Sequence, residues 1–122
     1  MKTNFAVLFI QLQQQFRILH WQTNQYARHQ AYGDIYGTLD DLIDGFVEAY
    51  MGKYGRIRVG GTGNVVLKDM DQLDMPTFIN DAIQLLLGLT NQLDSTADTD
   101  LLNIRDEMLQ AINKLKYLLT LK

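Results

Sequence analysis

The side chains whose types and spacing could do chemistry are two histidines and a run of carboxylates: His20, His29, Asp40, Asp44 and Glu48. The three acids recur every fourth residue, which sets them on neighbouring turns of one helix face, where like charges repel by a few tenths of a kcal/mol per pair. A helix that accepts this repulsion either turns the acids to water or holds a cation between them. Imidazole is a borderline ligand and carboxylate a hard one, so the set suits Fe, Mn or Zn, and a neutral imidazole nitrogen binds without adding charge. The plainer alternative makes His20 a hydrogen-bonded core histidine, His29 a turn residue and the acids a solvated face. On spacing alone this alternative weighs more.

The elements that must position these residues are helices. Phe5, Phe9, Leu12, Phe16 and Leu19 follow one another at fours and threes, which predicts a first helix from about 5 to 23, with His20 continuing its apolar stripe. Gln11, Gln13, Gln14 and Gln15 lie off that stripe, polar without charge, and suit a solvated face or a packed oligomer contact equally. A second helix, from about 28 to 53, carries Tyr32, Tyr36, Leu39, Ile43, Phe46 and Tyr50 at helical spacing. Gly33, Gly37 and Gly45 sit inside it, each unfavourable by about 1 kcal/mol relative to alanine. They call for the close approach of a neighbouring helix.

Between Gly52 and Met75 the helical period is lost. Ile57, Val59, Val65 and Leu67 around Gly60, Gly61, Thr62 and Gly63 read as two short strands joined by a glycine turn. The glycines lack the Lys-Ser/Thr completion of a phosphate-binding loop. Pro76 then marks the start of a third helix with Phe78, Ile79, Ala82, Leu86, Leu89 and Leu93 on its stripe. Asp98 or Thr99 caps a fourth, with Leu101, Ile104, Met108, Ile112, Leu115 and Leu119 inward and Lys114, Lys116 and Lys122 where cations suit the helix dipole. The expected fold is all-α: one four-helix bundle over residues 1–122 with a hairpin-like crossover between the second and third helices.

A chain of 122 residues makes one domain with a surface large enough to favour oligomerisation. No apolar run approaches the roughly 20 residues of a membrane span. The run from Phe5 to Ile10 behind Lys2 stops too soon, at Gln11, for a secretory leader. The absence of cysteine fits a reducing, cytoplasmic setting. A net charge of −3 disfavours nucleic acid as a partner. Residues 1–33 carry Lys2, Arg17 and Arg28 with no acid, whereas 34–50 carry five acids and no base, an acidic locus suited to cations.

The run Leu19, His20, Trp21, a second histidine opening the next helix, and Asp44-x-x-x-Glu48 after it resemble the Dps family of mini-ferritins. Asp98 to Leu102, with Arg105, Asp106 and Leu109, is similar to the start of that family's final helix, and the likeness covers roughly residues 5–53 and 98–120. The resemblance implies a hollow homo-oligomer, from dimer up to dodecamer, that oxidises and sequesters iron at sites shared between subunits. His20 and His29 would be ligands from one chain and Asp44 and Glu48 from its neighbour, with Glu48 bridging two metals. Trp21 would serve as a sacrificial electron donor in catalysis, or else as an aromatic interface anchor.

The sequence departs from the family at three places. Gly33 stands where the family has an aspartate ligand, which Asp40 could replace; the link between the histidines is short; and the family's middle helix gives way to the Arg56–Lys68 segment. The family's lysine-rich DNA-binding arm is absent too. Tyr26, Ala27, Arg28 and His29 also look like short Dps-like phage proteins. These bring in the competing reading, a non-catalytic structural or assembly protein, virion-associated, that keeps only the bundle.

Overall fold

A computed structural model describes residues 4–61 and 64–121. Within them stand four helices: α1 (Phe5–Gln22), α2 (Tyr26–Tyr54), α3 (Met75–Gly88) and α4 (Thr99–Leu118). Asn4 starts α1 by accepting the Val7 N–H on its side chain, and Asp74 does the same for Thr77 at the head of α3, where Pro76 occupies the first turn. Gly55 ends α2 at φ 91°, a conformation that favours glycine. No helix among the described residues is long and apolar enough to cross a membrane.

The helices run up, down, down and up, with a crossover along the bundle between α2 and α3. Phe5 meets Tyr50 at one end, where Lys53 reaches Asp100, while Arg28 donates to the Leu119 carbonyl at the other. α2 is the central element, packed on both α1 and α4. Phe5, Phe9 and Phe46 interlock edge to face, with ring centroids 5.2–5.7 Å apart, and Phe16, Leu39, Leu86, Leu101, Met108 and Ile112 complete a fully buried core. The predicted stripes are therefore the buried faces, and the all-helical bundle expected from them is the fold.

The two strands expected between α2 and α3 do not form among the described residues, and Thr62 and Gly63 of their turn lie outside these. Gly60 and Gly61 do turn the chain, at φ 68° and 71°. What a strand partner would have offered comes instead from α1. Gln11 accepts the Val66 N–H at 3.0 Å, and Gln15 both accepts the Lys68 N–H and donates to the Lys68 carbonyl, each at 2.9 Å. Gln22 accepts the Met70 N–H at 2.7 Å.

Gln11 and Gln15 are thus spent on the crossover of their own chain, since a side-chain amide matches the donor and acceptor of a peptide edge. Gln13 and Gln14 are also engaged, with Asp40 and Tyr36. Replacing buried Gln15 by leucine strands both polar groups of Lys68, and should lower stability by about 2 kcal/mol. Urea unfolding measures the loss, and faster amide exchange at Lys68 than at core positions would place it on the crossover.

Candidate metal centre

His20 lies in the last turn of α1 and His29 in the first turn of α2, brought face to face by the short link between the helices. Their rings stack with centroids 3.9 Å apart and planes 15° from parallel. His20 Nδ1 donates to the His29 carbonyl at 2.7 Å, and His29 Nδ1 donates to the His20 carbonyl at 2.8 Å. The His20 carbonyl is one that the end of α1 leaves without a helical partner. A carbonyl brings no proton, so both Nδ1 atoms must carry one. In each neutral ring Nε2 is then the lone-pair nitrogen, the tautomer in which a second hydrogen bond fixes a metal-binding histidine.

Gly33 makes room for this pair. A Cβ built there would meet His20 Cε1 at 3.0 Å and Nδ1 at 3.1 Å. The Cβ of the aspartate that the resemblance places at this position would press on the imidazole, which would have to give by a few tenths of an ångström. Gly45 comes no closer to a neighbour than ordinary contact with Ile104, and Gly37 faces open space. Close approach thus explains one of the three glycines, and the neighbour is a histidine ring.

Beside His20, the Arg17 guanidinium carbon sits 5.0 Å from the Trp21 ring centre and 5.1 Å from that of Tyr36, and Arg17 donates to the Tyr36 hydroxyl at 2.9 Å. These residues line a shallow depression of about 190 Å³ with His20 and Gly33. Trp21 is 63% exposed, open to solvent or to another chain. The sequence reading places Tyr36 on the stripe of the second helix and Arg17 in the charge balance, and neither at a site, although Arg17 and Trp21 stand four apart, the spacing at which helical side chains meet.

The carboxylates lie elsewhere. Asp40 accepts the Gln13 amide at 2.8 Å and is held against α1. Asp44 and Glu48 are exposed and follow His29 by 15 and 19 residues along the same helix, which sets them about 22 Å and 28 Å away along its axis. Among the described residues no three His, Asp or Glu side chains come close enough to share an ion. One chain brings two imidazoles together and keeps the acids apart. Sharing an ion between them takes a second chain.

A second tightly bonded ionisable group, Asp98, is at the opposite end of the bundle. Asp98 occupies the N-cap position of α4, yet its carboxylate turns away from that helix, accepting from the Tyr54 hydroxyl and the Asp94 N–H with Lys53 Nζ 3.3 Å away. These bonds, the Tyr54 hydroxyl foremost, hold its carboxyl below the usual carboxylate range against the opposing effect of burial. Burial raises the Tyr32 phenol, with the Arg28 guanidinium opposing it. Neither residue is part of the histidine pair.

Comparison with known proteins adds kinship without chemistry. A family model described as "Family of unknown function (DUF5856)" matches residues 20–119. A protein of Enterobacteria phage T4, the uncharacterized 14.6 kDa protein in the mobD-ri intergenic region, is 30% identical over 115 residues, covering 94% of this chain and 84% of its own. No solved structure matches.

Proposed function

The chain belongs to the family of unknown function DUF5856, and from that footing we propose that it is a homo-oligomeric, Dps-like metal-binding protein whose cargo is a transition-metal ion of the iron type. His20 and His29 of one subunit supply the imidazoles, and Asp44 and Glu48 of another supply the hard oxygen ligands. The observation that carries this reading is the reciprocal bonding of the two rings. Both Nδ1 atoms are spent on backbone carbonyls, and both Nε2 atoms are left as acceptors with no hydrogen-bond partner among the described residues. Asp44 and Glu48 are likewise exposed and make no ion pair there.

Where iron is the cargo, the carboxylates favour Fe(III) over Fe(II), and peroxide or oxygen is the oxidant. Exposed Trp21 stands beside His20 as the residue able to give up an electron. Metal analysis on a size-exclusion peak of known mass tests site and assembly together. The expected result is an oligomer with bound metal, lost in His20→Ala while helix content is retained. Absorbance during iron titration under oxygen tests turnover, and a flat trace at stoichiometric iron would end the ferroxidase part of the reading.

The same reciprocal bonds favour a second reading, in which the stacked pair is a staple closing the α1–α2 turn and the bundle is a non-catalytic assembly protein. The phage T4 relative suits a phage setting for it, virion included. An imidazole staple predicts that His20→Ala loosens the fold and that metal is never found.

A further inference from the structure

The crossover presents an unpaired backbone edge. Val66, Lys68 and Met70 alternate in giving their amides to α1 glutamines, so one edge of this extended stretch is taken. In an extended chain the intervening residues turn their N–H and C=O groups the opposite way. Asp69, the last of these, is closed by Gln72, which accepts its N–H at 2.9 Å and donates its own to the Asp69 carbonyl at 2.9 Å. Val65 and Leu67 remain: no backbone hydrogen bond engages either of them among the described residues. Val65, Val66 and Leu67 are 40%, 58% and 44% exposed, an apolar β-forming edge of the kind that proteins otherwise blunt or cover.

We infer that residues 64–68 pair antiparallel with the same residues of a second copy, forming an intersubunit β-ribbon centred on Val66. The register follows from which groups are free. Val65 and Leu67 face outward, so Val65 of one copy meets Leu67 of the other in a hydrogen-bonded pair, twice over, giving four backbone bonds. Val66 then faces its own symmetry mate in the non-bonded position between them. The charges select the direction: antiparallel pairing about Val66 sets Lys68 opposite the uncharged Asn64, whereas parallel in-register pairing sets Lys68 against Lys68. The order across the ribbon is α1, strand, strand, α1, with glutamine amides bounding both outer edges. The β-forming residues that find no ladder within one chain find it between two.

The chain has no cysteine, so a single introduced thiol reports on this geometry directly. Facing residues in a non-hydrogen-bonded antiparallel pair have Cα atoms about 4.5 Å apart, within the reach of a disulfide. Under mild oxidation Val66→Cys should run as a covalent dimer on non-reducing gels. Asn64→Cys, two residues off the axis, should stay monomeric at the same protein concentration. Circular dichroism of both variants checks that the bundle is intact.

In the unmodified protein the Val65 and Leu67 amides should be protected from exchange at high concentration and lose protection on dilution, while Val66 and Lys68 stay protected by glutamine. A Val66→Cys variant that cross-links no better than Asn64→Cys overturns the ribbon, as does concentration-independent exchange at Val65 and Leu67. Protection that appears only when another protein is added would reassign the edge to that protein and likewise overturn the self-pairing. None of these readouts involves metal. Failure of the ribbon leaves the histidine site standing with a different interface, and failure of metal binding leaves the ribbon.

Discussion

Replacing Asp98 by alanine is expected to lower the free energy of unfolding by about 3 kcal/mol, the largest loss foreseen for any single polar side chain here. The carboxylate is 2% exposed and joins three segments: Tyr54 and Lys53 at the end of α2, the Asp94 amide in the α3–α4 turn, and the head of α4. Alanine removes the charge-assisted bonds to the first two, leaving the part-buried Asp94 N–H without its partner, while the head of α4 loses only the residue that ties it to them. Asp98→Asn keeps one neutral acceptor and should lose roughly half as much. Urea denaturation followed by circular dichroism measures both. A loss of under about 0.5 kcal/mol for alanine would mean that water replaces the carboxylate at no net expense.

The sign of the accompanying pH effect is fixed. The folded-state carboxyl of Asp98 is depressed, with the Tyr54 hydroxyl the largest cause, so its contribution is complete above the unfolded carboxyl range, at about pH 4–5. It is lost as pH falls through that range toward the folded value. Asp94 and Asp100 are shifted the same way, by the Ala97 and Thr96 amides and by Lys53 respectively. The native protein should therefore lose stability steeply on acidification, and Asp98→Ala should show a shallower acid limb. Parallel curves for the two proteins would place the acid sensitivity elsewhere.

The second large effect concerns Gly33. Gly33→Ala in the middle of a helix would ordinarily be favourable by about 1 kcal/mol. Here the added methyl lands 3.0–3.1 Å from a ring already held by a 2.7 Å hydrogen bond and by stacking on His29. The ring has to give by a few tenths of an ångström, which strains the reciprocal pair and the bond that fixes its tautomer. Metal affinity should fall, toward the roughly 10–100-fold loss that follows when the bond orienting a ligand histidine is lost. The gain in helix propensity should be largely cancelled.

Zinc titration by calorimetry reads the affinity, and imidazole nitrogen shifts read the tautomer. An alanine variant that binds metal as the native chain does, with its shifts unchanged, would show that the imidazole arrangement is not what holds the ion. One that is stabilised by the full propensity gain would show that the His20 ring gives way freely.

Much of this arrangement was legible in the residues. The apolar stripes gave the helices to within a few positions because burial of one face is what fixes a helix in a bundle. They also brought His20 and His29 to one corner, since a short link between two antiparallel helices leaves their facing ends adjacent. The crossover was misread because Val65, Val66 and Leu67 have strand propensity whatever they bond to, and propensity does not name the partner. Glutamine has no periodic signature of its own, so a peptide edge bonded by Gln11, Gln15 and Gln22 was invisible until the helix was placed. The carboxylates were legible as a face and not as a site: their distance from the histidines is a matter of helix length, which spacing does give, but their eventual neighbour belongs to another chain. Gly33 could have been understood only by knowing which side chain leans over it.

The bonds that Gln11, Gln15 and Gln22 make to the crossover backbone involve no charge, and that sets an order of events under stress. Acid protonates the knot around Asp98, and high ionic strength weakens its link to Lys53, but neither touches an amide bonded to a peptide. As the solution turns acidic, the end of the bundle where α2 meets α4 should fray first, while the crossover remains fastened to α1. The partly opened protein would then keep its long strap in place and expose the base of its core, a polarity of melting that no helix propensity would have set.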